Sequence, residues 1–424
     1  MRKIATLILT IVMVLTICTV AQATGDEGTI GADGIASGSN TMTFIKSILM
    51  KNGNGTTVRE PNITYTYTIA EIDTLRDNET VTDLNGYAGT VYKLSAEGGT
   101  LSSVLSTPTE TAVFEDSNAV TTSAIGVETS KDVTFTFIGS AFPHAGVYRF
   151  IVTETTSAAK ESVGIIENTD YASVMYLDVY VQGQGDHTSI YAYVLFENND
   201  AAIANATKEA RQKSAGWCGG DVGTVNQDIY QTYDLEVKKA ITGDATSMSH
   251  QFPFTITLTN AKCTTKVDLA LSSSGATYTT TPTADTVGNY VALTNSGAAV
   301  AAKLAHNGTI TIKGIPAATT AAVYETNDTH DFYNLRATVE ASSTTQAAMS
   351  ATDGSVAPNG GQSKTTPAIN IDGTTITRVQ FGNNLTTISP TGYVTRYAPY
   401  GLILIAGVVL LVIAKKHKKH TDED

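Results

Sequence analysis

Residues 64–69 read TYTYTI, and this short run is the clearest indication of the fold class. Every second residue is apolar or aromatic and the residues between are threonine, so one face can enter a core while the other meets water. The same alternation returns at 133–138 (VTFTFI), 176–181 (YLDVYV), 254–258 and 309–312. Aromatic and β-branched residues at a period of two predict β-strands, and many of them.

Helical spacing is rare between these runs. Only residues 201–213 (AAIANATKEARQK) suggest a short helix. The chain is therefore predicted to be all-β, with two tandem β-sandwiches of Ig-like, Greek-key type. The net charge of −13 argues against nucleic-acid binding and for a solvated extracellular surface.

The N-terminus carries an export signal. Arg2 and Lys3 precede an apolar run at 4–20, and residues 21–23 (AQA) form the small-residue pattern at which a secretory signal peptide is cut. We therefore expect the chain to be cleaved between Ala23 and Thr24, which removes residues 1–23.

The C-terminus carries a second signal over residues 388–424. The motif ISPTG at 388–392 is followed by an apolar run at 398–414 and a tail at 415–424 that starts with a basic patch. An apolar helix of that length roughly spans a bilayer, which needs ~20 residues, and the lysines favour a cytoplasmic end. The motif, span and basic tail resemble the sorting signal of Gram-positive surface proteins.

That resemblance implies a sortase that cuts between Thr391 and Gly392 and joins Thr391 to an amine. Ser389 and Ile388 replace the proline and leucine common at these positions, which leaves the identity of the sortase open. The alternative is a simple C-terminal membrane anchor.

The region between the signals is long enough for two or three domains. We expect a first sandwich over 24–200, a linker or insert over 201–230, and a second sandwich over 231–387. Cys218 and Cys263 are the cysteines of this region, and whether they pair stays open. The histidines lack metal-ligand spacing, so no metal or cofactor is expected.

Each predicted domain contains a lysine, a glutamate and an asparagine in that order. Val237 and Lys239 lie on one strand face, as do Phe381 and Asn383, so the polar residue is in phase with a core residue. The first domain shows the same offset between Phe44 and Lys46 and between Phe196 and Asn198, and the intervening glutamates are Glu154 and Glu325.

Five segments carry a resemblance to a known family. They are FIKSILMK (44–51), VLFENND (194–200), LEVKKAITG (235–243), GIPAATTAAVYET (314–326) and VQFGNN (379–384). Together they resemble the streptococcal T-antigen (FctA-like) family of major pilins, whose domains contain isopeptide bonds. The resemblance covers nearly the whole mature chain and is most specific in the second domain.

The resemblance implies one lysine-to-asparagine amide in each domain, Lys46 to Asn198 and Lys239 to Asn383. Glu154 and Glu325 would promote the two reactions. Burial lowers the pKa of a lysine and raises that of a glutamic acid, so that a neutral amine can meet a protonated carboxyl group. All three groups of each set are therefore expected to face the core.

The function implied is a backbone pilin, covalently attached to a pilus or to the cell wall. Its partners would be a sortase, other copies of itself, minor pilins and peptidoglycan, with a host surface as a further candidate. The alternative is a wall-anchored adhesin or minor pilin of the same domain type. Because each bond forms once without turnover, the chain is not expected to be an enzyme.

A backbone pilin also needs an acceptor lysine. The resembled family has it shortly before the closing strand of the first domain, whereas residues 186–193 (DHTSIYAY) contain none. Lys208 and Lys213 are the best substitutes, and the alternative is that they are solvated charges of the short helix.

Overall fold

A computed structural model describes most of the chain between the two terminal signals. The described residues are 27–31, 34–73, 80–82, 88–123, 125–167, 173–184, 187–197, 214–218, 227–242, 248–272, 274–326, 334–340, 364–366, 368–371, 376–384 and 400–413.

The first part of the chain contains these strands: β1 (Ile35–Ser37), β2 (Thr41–Asn52), β3 (Thr57–Arg59), β4 (Ile63–Glu71), β5 (Thr80–Thr82), β6 (Ala88–Tyr92), β7 (Thr109–Phe114), β8 (Ala119–Thr121), β9 (Val127–Thr136), β10 (Gly146–Thr156), β11 (Ile165–Ile166), β12 (Val174–Gln184), β13 (His187–Glu197) and β14 (Gly216–Trp217).

The second part contains β15 (Asp228–Thr242), β16 (Phe252–Thr259), β17 (Thr265–Leu271), β18 (Ala276–Tyr278), β19 (Thr283–Ala284), β20 (Asn289–Leu293), β21 (Ala298–Leu304), β22 (Thr309–Pro316), β23 (Thr320–Glu325), β24 (Asn334–Glu340), β25 (Lys364–Thr365), β26 (Ile369–Asn370) and β27 (Thr377–Asn384).

Among the described residues, helical structure is confined to short pieces and one terminal segment, and the short helix expected at 201–213 lies outside them. A single α-helical turn, α1, spans Leu101–Val104, and 3₁₀ turns span Leu94–Glu97, Gly139–Ala141 and Lys160–Val163. A second helix, α2, covers 400–413 inside the predicted membrane segment. In the part of the chain that the structure describes, no helix is long and apolar enough to cross a membrane.

Three large sheets form among the described residues. An 8-stranded sheet, the first facing sheet, has the order β1-β13-β12-β10-β4-β7 with β5 and β6 attached. An 11-stranded sheet, the shared sheet, runs β14-β2-β15-β22-β17-β20-β19 and also contains β9, β11, β24 and β27. A 6-stranded sheet, the second facing sheet, contains β18, β21, β16, β23, β25 and β26.

The first sandwich packs the first facing sheet against one end of the shared sheet. Its core includes Phe44 and Phe135 from the shared sheet and Tyr67 and Leu195 from the facing sheet. Trp217 is fully buried and packs on Phe44, with ring centroids 5.1 Å apart. The TYTYTI run forms β4, with Tyr65 and Tyr67 buried, as its alternation predicts.

The second sandwich packs the other end of the shared sheet against the second facing sheet. Its separate core joins Leu235, Val237 and Val379 to Phe254 and Val323 of the facing sheet. The all-β prediction is confirmed. The domain limits stay predictions, although Trp217 and Tyr230, from the expected linker 201–230, belong to the core of the first sandwich.

Strand β15 belongs to both sandwiches. Its first residues, Asp228–Thr232, pair in parallel with β2 in the first sandwich. Its later residues, Leu235–Thr242, pair in parallel with β27 in the second sandwich. The two sandwiches are therefore joined by one continuous strand.

Arg59 links the first sandwich to the second. Its guanidinium binds both carboxylate oxygens of Asp285 at 2.7 and 2.9 Å and Asp268 at 2.7 Å. These hydrogen bonds from Arg59 hold the pKa of Asp285 well below its usual range. Lys266 reaches back to Asp116 of the first sandwich at 2.8 Å. The planar two-point contact of Arg59 restricts rotation more than a single ion pair would.

Candidate cross-linking sites

The second sandwich brings the predicted lysine, glutamate and asparagine together. Lys239 lies on β15 and Asn383 on the neighbouring parallel strand β27, whereas Glu325 ends β23 in the facing sheet. All three residues are 0% exposed. The alternation that places Val237 and Phe381 in the core places the reactive groups there as well.

Glu325 stands between the other two side chains. Its Oε1 accepts hydrogen bonds from Lys239 Nζ at 2.6 Å and from Asn383 Nδ2 at 2.9 Å. Burial lowers the pKa of Lys239 to about 8, against the pull of Glu325. Burial likewise raises the pKa of Glu325. Both shifts favour a neutral amine beside a neutral carboxyl group, the protonation states that amide formation needs.

Aromatic rings enclose this site. Lys239 Nζ lies 4.3 Å from the centre of the Phe252 ring, and Phe254 packs edge-on against Phe381 with centroids 5.2 Å apart. The rings exclude water, which is the source of the lowered lysine pKa.

The first sandwich places Lys46 and Glu154 in its core but adds a residue that the sequence analysis missed. Lys46 is 0% exposed and Glu154 is 5% exposed, with Lys46 Nζ 3.6 Å from Glu154 Oε2. Asp228, also 0% exposed, places Oδ2 2.7 Å from Lys46 Nζ. Burial lowers the pKa of Lys46, against the pull of both carboxylates.

Two tyrosines and a second lysine complete this cluster. Tyr65 donates its hydroxyl proton to Asp228 Oδ2, and Tyr67 donates to Glu154 Oε2, both at 2.6 Å. Burial raises the pKa of both tyrosines, which therefore remain donors at neutral pH. Lys160, which is partly exposed, lies 3.4 Å from Glu154 Oε1 and 3.1 Å from Asp228 Oδ1.

Asn198, the predicted acceptor in the first domain, lies outside the described residues, so its pairing with Lys46 stays a prediction. Strand β13, which ends at Glu197, belongs to the first facing sheet and pairs with β12 and β1, whereas Lys46 is on β2 of the shared sheet. The other predicted sites also lie outside the described residues, namely Ala23, Thr24, Lys208, Lys213, Thr391 and Gly392.

The two cysteines are free thiols. Cys263 is buried and Cys218 is half-buried, and no disulfide joins them. Burial raises the pKa of each thiol to about 12, so neither is a reactive thiolate at neutral pH. Cys218 and Cys263 therefore do not cross-link the chain.

Comparisons with known proteins give one partial family match and several structural likenesses. A family described as a domain of unknown function (DUF7601) matches residues 233–366, which include Lys239 and Glu325. No curated protein matches the chain.

Solved structures similar to the chain include pilus proteins. The major pilin from Streptococcus pyogenes is 16% identical with a TM-score of 0.38, over 81% of this chain and 98% of that one. The major pilin T3.2 from a second S. pyogenes serotype is 16% identical with a TM-score of 0.36, over 83% and 99%. A pilus-presented adhesin is 11% identical with a TM-score of 0.22, over 80% and 100%.

Proposed function

We propose that the chain is a structural subunit of a Gram-positive surface pilus, a backbone pilin stabilised by an amide bond between Lys239 and Asn383. The observation that carries the proposal is the meeting of Lys239, Glu325 and Asn383, all fully buried, between two sheets. A buried lysine, acid and amide would be costly as a purely structural cluster because each polar group gives up water. Amide formation removes the lysine charge from the core.

The reaction joins Lys239 Nζ to Asn383 Cγ and releases ammonia. Glu325 is placed to take a proton from the amine and to donate one to the leaving nitrogen, since it contacts both side chains. The bond would close a large loop, and such a cross-link disfavours the unfolded state by ~5 kcal/mol on the chain-entropy model used for disulfides. No reductant can open it.

Mass spectrometry tests the bond directly. A recombinant fragment over residues 24–391 should contain a cross-linked peptide that joins Lys239 to Asn383 and has lost one ammonia. Glu325→Ala should not form the bond and should keep the mass of the ammonia. The control Glu236→Ala removes only a surface partner of Arg378 and should form the bond with loss of ammonia. A wild-type fragment without this cross-linked peptide would contradict the proposed bond.

Assembly is tested separately. The Pro-Thr-Gly motif at 390–392 supports a sortase that joins Thr391 to an amine of the next subunit. Boiled wall extracts should then show a ladder of high-mass species that disappears when Thr391 is replaced by Ala. Lys208→Arg and Lys213→Arg test the two candidate acceptors individually.

A second function is favoured by one sequence observation. Residues 186–193 contain no lysine where the resembled family has its acceptor. An adhesin or minor pilin displayed singly on the wall needs no such residue. A single band in the wall extract in place of the ladder would support this alternative.

A further inference from the structure

The two sandwiches repeat one arrangement of residues around a buried lysine. In the second sandwich, Asn383 pairs with Ile241, two residues beyond Lys239 on β15. In the first sandwich, Asp228 pairs with Ile48, two residues beyond Lys46 on β2. Both pairs of strands are parallel. Asp228 therefore occupies the same position relative to Lys46 that Asn383 occupies relative to Lys239.

The facing sheets repeat the arrangement from the other side. Glu154 pairs with Tyr67 on β4, and Glu325 pairs with Phe254 on β16. Two residues earlier on each strand lies the ring beneath the lysine: Lys46 Nζ is 4.0 Å from the Tyr65 ring centre, just as Lys239 lies over the ring of Phe252. Lysine, acid, acceptor and both aromatic positions thus correspond.

We propose that the first sandwich is cross-linked by an amide bond between Lys46 and Asp228, in place of the expected bond between Lys46 and Asn198. The bond does not depend on polymerisation of the chain. It shares its type of chemistry with the proposed Lys239–Asn383 bond but has a different leaving group, so each can fail without the other.

The reaction balances without any further reactant. A proton passes from the Lys46 ammonium to the Asp228 carboxylate, which gives an amine and a carboxylic acid. Lys46 Nζ then bonds to Asp228 Cγ and the bond from Cγ to the hydroxyl oxygen breaks. The hydroxyl leaves as water with one of the two amine protons, and the other proton stays on the amide nitrogen. Glu154 lies 3.6 Å from Lys46 Nζ and is placed to carry protons between the groups.

The tyrosines explain how this site handles an acid instead of an amide. A buried carboxylate needs hydrogen-bond donors, and the hydroxyls of Tyr65 and Tyr67 supply them to Asp228 and Glu154. The second sandwich has Phe252 and Phe254 at the matching positions, where the acceptor is an uncharged carboxamide. Tyr65 also withdraws charge from the acid oxygen as the amine approaches.

Lys46 is the reacting amine because its position and surroundings match those of Lys239. Lys46 Nζ is 2.7 Å from Asp228 and completely buried. Lys160 lies outside the parallel strand pair, on a 3₁₀ turn, and its amine also binds the exposed carboxylate of Glu167 at 3.1 Å. The role of Lys160 is to balance the second carboxylate charge.

A tryptic peptide map of the purified full-length chain tests the proposal. The peptide that contains Lys46 should be joined to the one that contains Asp228, with the loss of one water. Asn198 lies in a different tryptic peptide because Lys208 and Lys213 separate it from Asp228. A linkage from Lys46 to the Asn198 peptide with loss of ammonia, a linkage from Lys160 to Asp228, or an unlinked Lys46 would each overturn the proposal.

Two variants provide a matched pair. Asp228→Ala should abolish the linkage of Lys46, whereas Asn198→Ala should leave it complete. The Lys239–Asn383 linkage serves as an internal measure of folding, since it should form in both variants. Loss of the Lys46 linkage in Asn198→Ala with that internal linkage intact would contradict the assignment of Asp228.

Discussion

At the scale of the residue, the decisive property of Lys239 is its burial. A lysine that sits between two aromatic rings and one carboxyl group loses its hydration, and its pKa falls to about 8. The same burial raises the pKa of Glu325. Burial in the core therefore shifts both pKa values in the direction that amide formation needs.

The lowered pKa of Lys239 predicts a pH-dependent stability in a chain that cannot form the bond. In Asn383→Ala the amine remains free. Between pH 8 and its ordinary pKa of 10.5 the unfolded chain holds the lysine proton while the folded chain has lost it, so the free energy of unfolding should rise with pH in this window. Denaturant unfolding from pH 7 to pH 10 would measure the rise.

The control for this titration is Asn383→Ala combined with Lys239→Met. Subtracting its unfolding free energy removes the contributions of tyrosines and other groups that titrate in the same range. A difference that stays constant from pH 7 to pH 10 would contradict the lowered pKa of Lys239.

Tyr65 offers a second test at this scale. Replacing it with Phe removes the donor to Asp228 and reproduces the ring that the second sandwich already has at Phe252. We expect Tyr65→Phe to fold normally but to form the Lys46–Asp228 linkage at least ~10-fold more slowly, because about 1.4 kcal/mol of stabilisation by one charged hydrogen bond is lost.

The measurement is the fraction of linked peptide against time after refolding. Tyr148→Phe serves as the control, since its hydroxyl bonds the backbone oxygen of His144, away from the Lys46 cluster. Equal rates for wild type and Tyr65→Phe would show that the hydroxyl takes no part in the reaction.

At the scale of the element, β15 is held at its crossing between sandwiches by Asp234. This fully buried carboxylate accepts hydrogen bonds from Asn52 at 2.9 Å, Thr56 at 3.1 Å, Asn54 at 3.2 Å and the backbone N–H of Gly314 at 3.1 Å. Donors from both sandwiches thus meet on a single side chain. These hydrogen bonds fix β15 relative to both sandwiches at the point where it passes from one to the other.

Asp234→Ala should therefore destabilise the chain by about 3 kcal/mol, because several buried donors lose their acceptor at once. The control is Asp132→Ala on the exposed face of β9, which should change stability by no more than about 0.5 kcal/mol. Chemical unfolding of the two variants would provide the comparison. Equal free energies of unfolding for Asp234→Ala and Asp132→Ala would show that the crossing of β15 between the sandwiches does not depend on Asp234.

Strand alternation predicted much of this architecture. Period-two runs indicated β4, β9, β12, β16 and β22, because a half-buried strand leaves its pattern in the sequence. The same reasoning selected Lys239 and Asn383, each in phase with a buried neighbour. The structure brings both to Glu325 because the opening and closing strands of the second sandwich are neighbours.

Asp228 was missed for a physical reason. An aspartate that follows the Gly-containing segment at 219–226 looks like a turn residue, and the sequence contains no sign that β15 begins there. Asn198 is the residue that the sequence favours, because it follows Phe196 at the expected offset. Asn198 lies outside the described residues, whereas Asp228 lies on the strand that pairs with the strand of Lys46, and a single sequence does not show which strands become neighbours.

At the scale of the whole molecule, the two proposed bonds would determine how the chain responds to force. Lys46 and Asp228 are 182 residues apart in sequence. With the bond in place, tension applied at the termini bypasses this segment, and the segment between Lys239 and Asn383 is shielded in the same way. Only the terminal segments and β15 would then lie on the covalent path.

Single-molecule pulling between the termini would measure this shielding. Asp228→Ala should show an additional extension of about 600 Å, since 182 released residues extend by ~3.4 Å each. Asn198→Ala should show none. A wild-type chain that already extends by this length would contradict the Lys46–Asp228 bond.

The continuity of β15 also has a consequence for attack by proteases. With both bonds formed, a cut between Lys46 and Asp228 or between Lys239 and Asn383 would leave the two new ends covalently connected, and the subunit would stay in one covalent piece even after boiling. Between Lys46 and Asn383, only a cut within 229–238 would divide it into separate parts. Those residues include Thr232, Asp234, Leu235 and Val237, all fully buried between neighbouring strands. Between Lys46 and Asn383, the segment where a single cut would separate the two sandwiches is thus one that the fold buries.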